Sequence, residues 1–119
     1  MINMQYEVEN KGHFKMIHII GNISLEVSTK VLDDTITEFI ENGHHHFVFN
    51  LERTTYLDSS GIGIFIHCLC DVQENNGSIY IIAEDNQVKE VLRMVGINRL
   101  IKVYDSEEEF ISDHKEAAS

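Results

Sequence analysis

The sequence predicts an α/β domain: a small mixed sheet of about five strands, mostly parallel, with about four helices. Three observations lead there. Short segments rich in Ile, Val, Phe and Tyr alternate with longer segments whose apolar residues recur at helical spacing. The 119 residues suffice for one core but not two, so 1–119 is expected to be a single domain. A hydrophobic share of 43% can fill that core, and the chain has no proline, so its turns must use Gly, Asn, Asp or Ser.

The elements follow in order. Strands are expected at 5–9 and 14–20, joined through Asn10-Lys11-Gly12, a turn suited to an antiparallel hairpin. The spacing of Leu32, Ile36, Phe39 and Ile40 predicts a helix over 27–42, with Gly43 as its stop. The run 46–51 reads as a buried strand. Ile62, Phe65, Ile66, Leu69 and Val72 form the stripe of a second helix over 59–75, broken by Asn75-Asn76-Gly77. After a strand at 78–83, Val88, Val91, Leu92 and Val95 mark a third helix ending at Gly96. A strand at 100–104 precedes the last helix. That helix opens with Ser106-Glu107-Glu108-Glu109, whose first and fourth residues match a capping box, and it packs through Phe110 and Ile111. Such alternation builds a parallel sheet from right-handed crossovers, and ligands and partners of such folds favour the carboxyl ends of the strands.

Charge narrows the function. Twenty acidic residues against nine basic ones give a formal net charge of −11. Binding a nucleic-acid backbone or an anionic membrane needs a concentrated basic face, which this composition does not supply. A basic protein partner remains open, because a field of this sign steers cationic surfaces inward. The start, Met1-Ile2-Asn3-Met4-Gln5-Tyr6-Glu7, lacks a basic and then apolar leader, and no stretch approaches the roughly eighteen apolar residues of a membrane span. A cytoplasmic protein is expected. Cys68 and Cys70 stand two apart on a helix, where side chains diverge, so both are expected as buried, reduced thiols.

Two strand-to-helix connections are expected at the functional edge: Gly21-Asn22-Ile23-Ser24, and the hydroxyl-rich run from Glu52 through Thr54-Thr55-Tyr56-Leu57-Asp58-Ser59-Ser60-Gly61. Gly61 and Gly63 are expected to leave the first helical turn unshielded. A serine there lies beside free backbone N–H groups and the positive end of the helix dipole, which favour a phosphate. Ser59 or Ser60 therefore reads as a phosphorylation switch; the plainer alternative is a helix cap made by Asp58 or a serine.

Phe49-Asn50-Leu51-Glu52 followed by Tyr56-Leu57-Asp58-Ser59-Ser60-Gly61-Ile62-Gly63 resembles the signature of the STAS domain, in particular that of the bacterial anti-sigma factor antagonists. The element order and Met94-Val95-Gly96-Ile97 extend the resemblance over nearly the whole chain. It implies a non-enzymatic regulator without cofactor or metal. Ser59 would be the phosphoacceptor of a serine kinase that is also the anti-sigma factor, and a serine phosphatase would reverse the change. The unmodified form would bind the kinase and free the sigma factor. Asn22, Ser24, Thr54, Thr55, Tyr56, Asp58, Ser60, Gly61, Gly63 and Ile64 are the candidate partner contacts. One departure stands out: many family members carry an aspartate near the position of Ser24.

Ile64 and Cys68 lie one turn apart off the main stripe of the second helix, either as an apolar partner-binding strip or because that helix is buried on two sides. His44-His45-His46 offers two imidazoles on one face of an extended chain, fewer than zinc needs, so a solvated strand start is expected. The six carboxylates between Asp105 and Glu116 read as a solvated helix face. Rival functions fit less well. Ser59 lacks a nucleophile elbow, and His67 stands two helical turns away. A phospho-receiver would need acidic residues where Gly21-Asn22-Ile23-Ser24 stands. A small nucleotide-binding protein would need a phosphate-cradling Gly-Lys-Ser/Thr loop, which is absent. A STAS subunit of another assembly, such as a lipid or anion transporter or a stress-signalling complex, is the nearest alternative.

Overall fold

A computed structural model describes residues 5–23 and 27–118. Its strands are β1 (Gln5–Lys11), β2 (Phe14–Ile23), β3 (His46–Asn50), β4 (Thr54–Leu57), β5 (Ser78–Ile82) and β6 (Lys102–Tyr104). Its helices are α1 (Val27–Glu41), α2 (Ser59–Glu74), α3 (Gln87–Met94) and α4 (Glu107–Asp113), with short 3-10 turns at Ile97–Arg99 and Lys115–Ala118. The sheet runs β1-β2-β3-β5-β6, and β4 also pairs with β2. β1 is antiparallel to β2, and the other pairings are parallel.

Both faces of the sheet are covered, which is why its inner strands read as near-continuous apolar runs. Strand alternation sends Ile17, Ile19, Phe47, Phe49, Ile79 and Ile81 to one face, where α1, α2 and α3 cover them with Leu32, Ile36, Phe65, Val72, Val88 and Leu92. Met16, Val48, Ile82 and Tyr104 point the other way and, with Phe14, are covered by Phe110 of α4 and by Ala117. Phe110 is fully buried and lies against the rings of Phe14 and Tyr104. Phe110→Ala therefore removes most of that cover, at a cost of roughly 3–5 kcal/mol.

The helix punctuation matches the expected chemistry. Ser106 Oγ accepts from Glu109 N at 3.2 Å, and Gly43 and Gly96 both sit in the left-handed region just past their helices. Lys11 pairs with Phe14, so the hairpin tip is Gly12-His13.

The largest departure from expectation is β4. Residues 54–57, expected as loop, form a strand beside the upper part of β2, which itself extends to Ile23. Asn50 explains the step between β3 and β4. Its carbonyl oxygen Oδ1 accepts from Glu52 N at 2.9 Å, and Leu51 N still bonds Ile82 O at 2.8 Å. The chain thus turns away from β5, and Thr54 N closes onto Leu51 O at 3.1 Å before the backbone meets β2 again. The last strand is shorter than expected, because Leu100 is exposed and pairing begins at Lys102.

Other expectations also change. Cys68 is buried but Cys70 is exposed, because α2 packs inward at 61, 64, 65, 68 and 72. Burial pushes the Cys68 thiol far above its ordinary range, with the nearby Asp71 and Asp33 charges adding to the effect. The acidic tail is only partly a solvated face. Asp113 accepts from the Tyr104 hydroxyl at 3.0 Å and from Lys102 at 3.3 Å, contacts that hold its carboxyl below the usual range. Among the histidines, His44 is exposed, whereas His46 meets Ser78 Oγ at 2.8 Å and the His13 ring edge-on.

Candidate functional site

The site forms where β2 and β4 run side by side into the start of α2. Gly21 N donates to Arg53 O at 3.0 Å, Asn22 stands opposite Tyr56, and Ile23 stands opposite Leu57. Asp58 N then donates to Ile23 O at 3.2 Å, so the residue before α2 is tied to the end of β2. Asp58 is the N-cap: its backbone is extended, and its carboxylate accepts from Ser60 N at 2.9 Å. The aspartate rather than a serine therefore caps the helix. Ser59 is left as the first helical residue, exposed, with its hydroxyl unbonded to any described residue.

Several candidate contacts converge on this edge. Thr55 Oγ1 donates to Asn22 Oδ1 at 2.8 Å, Tyr56 is 51% exposed, and Gly63 is exposed with nothing within 4 Å of where a Cβ would stand. Ser60 and Gly63 line a cleft of about 430 Å³ between α1 and α2, together with Thr29, Lys30, Asp33 and His67.

Three others face inward and are corrected here. Thr54 is buried and donates its hydroxyl to Ile19 O at 2.7 Å, so it anchors β4 rather than meeting a partner. Gly61 does not leave the turn open: a Cβ there would collide with Leu57 Cδ1 and lie 2.6 Å from Ile23 Cγ2. It is glycine because helix and strands approach closely. Ile64 is 5% exposed and Cys68 is 1% exposed, so they form no exposed strip; with Gly61, Phe65 and Val72 they make the buried stripe of α2, whereas Ile62, Ile66 and Leu69 of the expected stripe are only partly buried, and Ile64 also lines the cleft. Ser24 lies outside the described residues.

The residues that sequence reasoning did not place at the site come from α1, α3 and the middle of α2. His67 Nδ1 meets Asp33 Oδ1 at 2.9 Å and its Nε2 lies 3.4 Å from Asp71, which bridges α1 to α2 beside the cleft. The Asp33 hydrogen bond raises the His67 pKa above its ordinary value, outweighing its partial burial. No local signal links residues 33 and 67. On the other side of β4, Val91 and Met94 of α3 flank a groove shared with Tyr56.

The arrangement suits a surface switch. The dipole of α2 places its positive end at Ser59, while the Asp58 carboxylate and carbonyl already accept from Ser60 N, Gly61 N and Ile62 N, and Asp58 adds one negative charge nearby. Among the described residues, no three His, Cys, Asp or Glu side chains are placed to hold a metal ion, and no helix is long and apolar enough to cross a membrane.

The chain belongs to the STAS domain family, whose pattern it matches over residues 5–110. Within that class it is similar to the anti-sigma-B factor antagonist of Staphylococcus aureus, with 22% identity over 107 residues, covering 90% of this chain and 98% of that protein. Its fold is also that of an anti-sigma factor antagonist from Mycobacterium paratuberculosis, with a TM-score of 0.82, 15% identity and 93% of each chain covered. The Bacillus cell fate determinant SpoIIAA in its phosphorylated form has a TM-score of 0.72 and 19% identity, with 92% of this chain and 98% of that one covered.

Proposed function

We propose that this protein is a single-domain, cytoplasmic anti-sigma factor antagonist, a binding regulator and not an enzyme. It binds a serine-kinase anti-sigma factor and so releases the sigma factor. Phosphorylation of Ser59 by that kinase switches it off, and a serine phosphatase restores it. The observation that carries this reading is the position of Ser59. It is exposed at the first residue of α2, its hydroxyl bonded to no described residue, with Asn22, Thr55, Tyr56, Ser60 and Gly63 gathered on the same edge. Relatives named as anti-sigma factor antagonists support the partner class, and a relative determined in a phosphorylated form supports the chemistry.

Phosphate adds about −1.5 to −2 charge units at the centre of that patch. The helix terminus accommodates the anion, so the fold stays as it is, while a partner surface packed over Ser59 meets new charge and bulk. The test is incubation with the serine-kinase anti-sigma factors of the same genome and ATP, with the phosphate located by mass spectrometry. Binding is measured before and after. Phosphate on Ser59 and loss of binding are expected. A Ser59→Ala protein phosphorylated to the same extent would remove the site assignment, and an unmodified protein that binds no such kinase would favour a subunit role in another assembly.

A further inference from the structure

The described residues include six large apolar side chains that stand well exposed, and two of them, Tyr56 at 51% and Met94 at 79%, flank one groove. It lies between β4 and α3, has a volume of about 260 Å³, and is walled by Leu57, Val88 and Val91, with Glu90 on its rim. Val88 and Leu57 are themselves core residues, so the groove floor is fixed by the packing beneath it. Tyr56 and Met94 are not. Their exposed apolar surface is unexplained by the fold, since neither side chain is needed to close the core.

Position says what covers them. Tyr56 is three residues from Ser59, so the two Cα atoms lie at most ~11 Å apart. A specific protein–protein interface covers about 800 Å² on each partner, a disc of roughly 16 Å radius. A partner centred on Ser59 therefore reaches far enough to cover Tyr56, which lines the groove.

We propose that this groove is the docking pocket for an apolar side chain of the serine-kinase anti-sigma factor, and that it contributes affinity independently of the phosphorylation state. The inference rests on the function proposed above. It divides the surface into two halves with separate tasks. The hydroxyl edge at Ser59 carries the switch, whereas the β4–α3 groove carries the grip. A cavity of about 150 Å³ holds benzene, so a groove of this size takes a Leu, Met or Phe side chain. Anchors of this kind, seated near the centre of an interface and away from water, dominate binding energy.

Substrate kinetics separate grip from switch. With the purified kinase and ATP, Met94→Glu is expected to raise KM for phosphorylation of Ser59 by ~10-fold or more and to leave kcat unchanged, because a lost anchor removes uniform binding. Met94→Leu should restore the KM. Met94 is exposed, so the variants are expected to melt with the wild type, and a melting curve checks this. A Met94 methyl NMR signal that shifts on complex formation would place the partner on the groove directly. If wild type is bound and phosphorylated but Met94→Glu and Tyr56→Ala keep its KM, the groove is not a docking pocket and the function proposed above stands. A lower kcat at unchanged KM would overturn the division of tasks. Failure of wild type to bind any such kinase would overturn both proposals together.

Discussion

Gly61 and Gly63 stand two residues apart in the first turns of α2, and the structure assigns them opposite responses to alanine. At Gly63 nothing lies within 4 Å of the new methyl group, and φ is not positive, so the substitution only removes backbone freedom from the unfolded chain. The expected gain is about 0.5–1 kcal/mol. In a chain of this size that raises Tm by roughly 2–6 °C. At Gly61 the same methyl runs into Leu57 and Ile23, both core side chains. Overpacking costs about 1–3 kcal/mol, and subtracting the same helix gain leaves a net loss of up to about 2.5 kcal/mol. Thermal and urea unfolding of the two variants beside wild type measures both signs. Kinase binding adds the functional half. If a partner packs over Gly63, the more stable Gly63→Ala protein binds more weakly, so a glycine that costs stability is retained for close approach. Shifts of Tm in the same direction would refute the packing argument. A stabilised Gly63→Ala protein with wild-type affinity would remove Gly63 from the contact surface.

Other measurements follow from the same geometry. Asp58→Ala removes the cap that accepts from Ser60 N and should cost about 1 kcal/mol in urea unfolding, with a range of roughly 0.5–2. A thiol reagent should label one cysteine in the native protein, Cys70, and reach Cys68 only after unfolding. Two histidines give stability opposite pH slopes. Burial, with the His13 and His45 charges, lowers the His46 pKa below 6.5, so its contribution is present above that value and is lost as pH falls through the lowered pKa. The Asp33 hydrogen bond raises the His67 pKa above 6.5, so its contribution is complete below 6.5 and is lost as pH rises through the raised pKa. Denaturation across this range should show His46→Gln flattening the acid side and His67→Gln flattening the alkaline side. Association with a basic partner should slow as salt is added, since a charge of −11 acts through a screened field.

Much of the architecture was legible because both layers write themselves locally. Phe47, Val48 and Phe49 read as a strand covered on both faces, and Gly43 and Gly96 mark helix ends by the conformation only glycine takes easily. β4 was not legible. Its burial runs buried, exposed, exposed, buried over four residues, with no period-2 pattern, and its stability comes from pairing with an extension of β2. The same reason hid the role of Gly61, which depends on Leu57 and Ile23 arriving from two strands. Ile64 and Cys68 were ambiguous because apolar residues run around more than one face of α2, and periodicity alone does not say which stripe turns fully inward. The His67–Asp33 bridge joins residues 34 apart, and the β4–α3 groove joins Tyr56 to Met94; neither pairing leaves a trace in local sequence. The cap before α2 was legible because Asp58 and the two serines carry capping chemistry, and Ser59 was singled out there because the family signature falls on the same residues.

The ladder between β2 and β4 has a consequence for how a kinase acting on Ser59, as proposed, would have to read its substrate. Asp58 is held to Ile23 through the backbone, Thr54 is bolted to Ile19, and Gly61 seats α2 against both strands. Ser59 is thus presented from a stiff corner and not from a pliable segment that an active site could draw in and straighten. The proposed kinase would have to recognise a three-dimensional shape. An excised peptide spanning 49–66 carries every side chain of the signature but none of that preformed corner, and under the proposed function it should be a very poor substrate. Specificity between parallel signalling systems would then reside in the contour of the docking edge, where many chains sharing Asp-Ser-Ser-Gly can still be told apart.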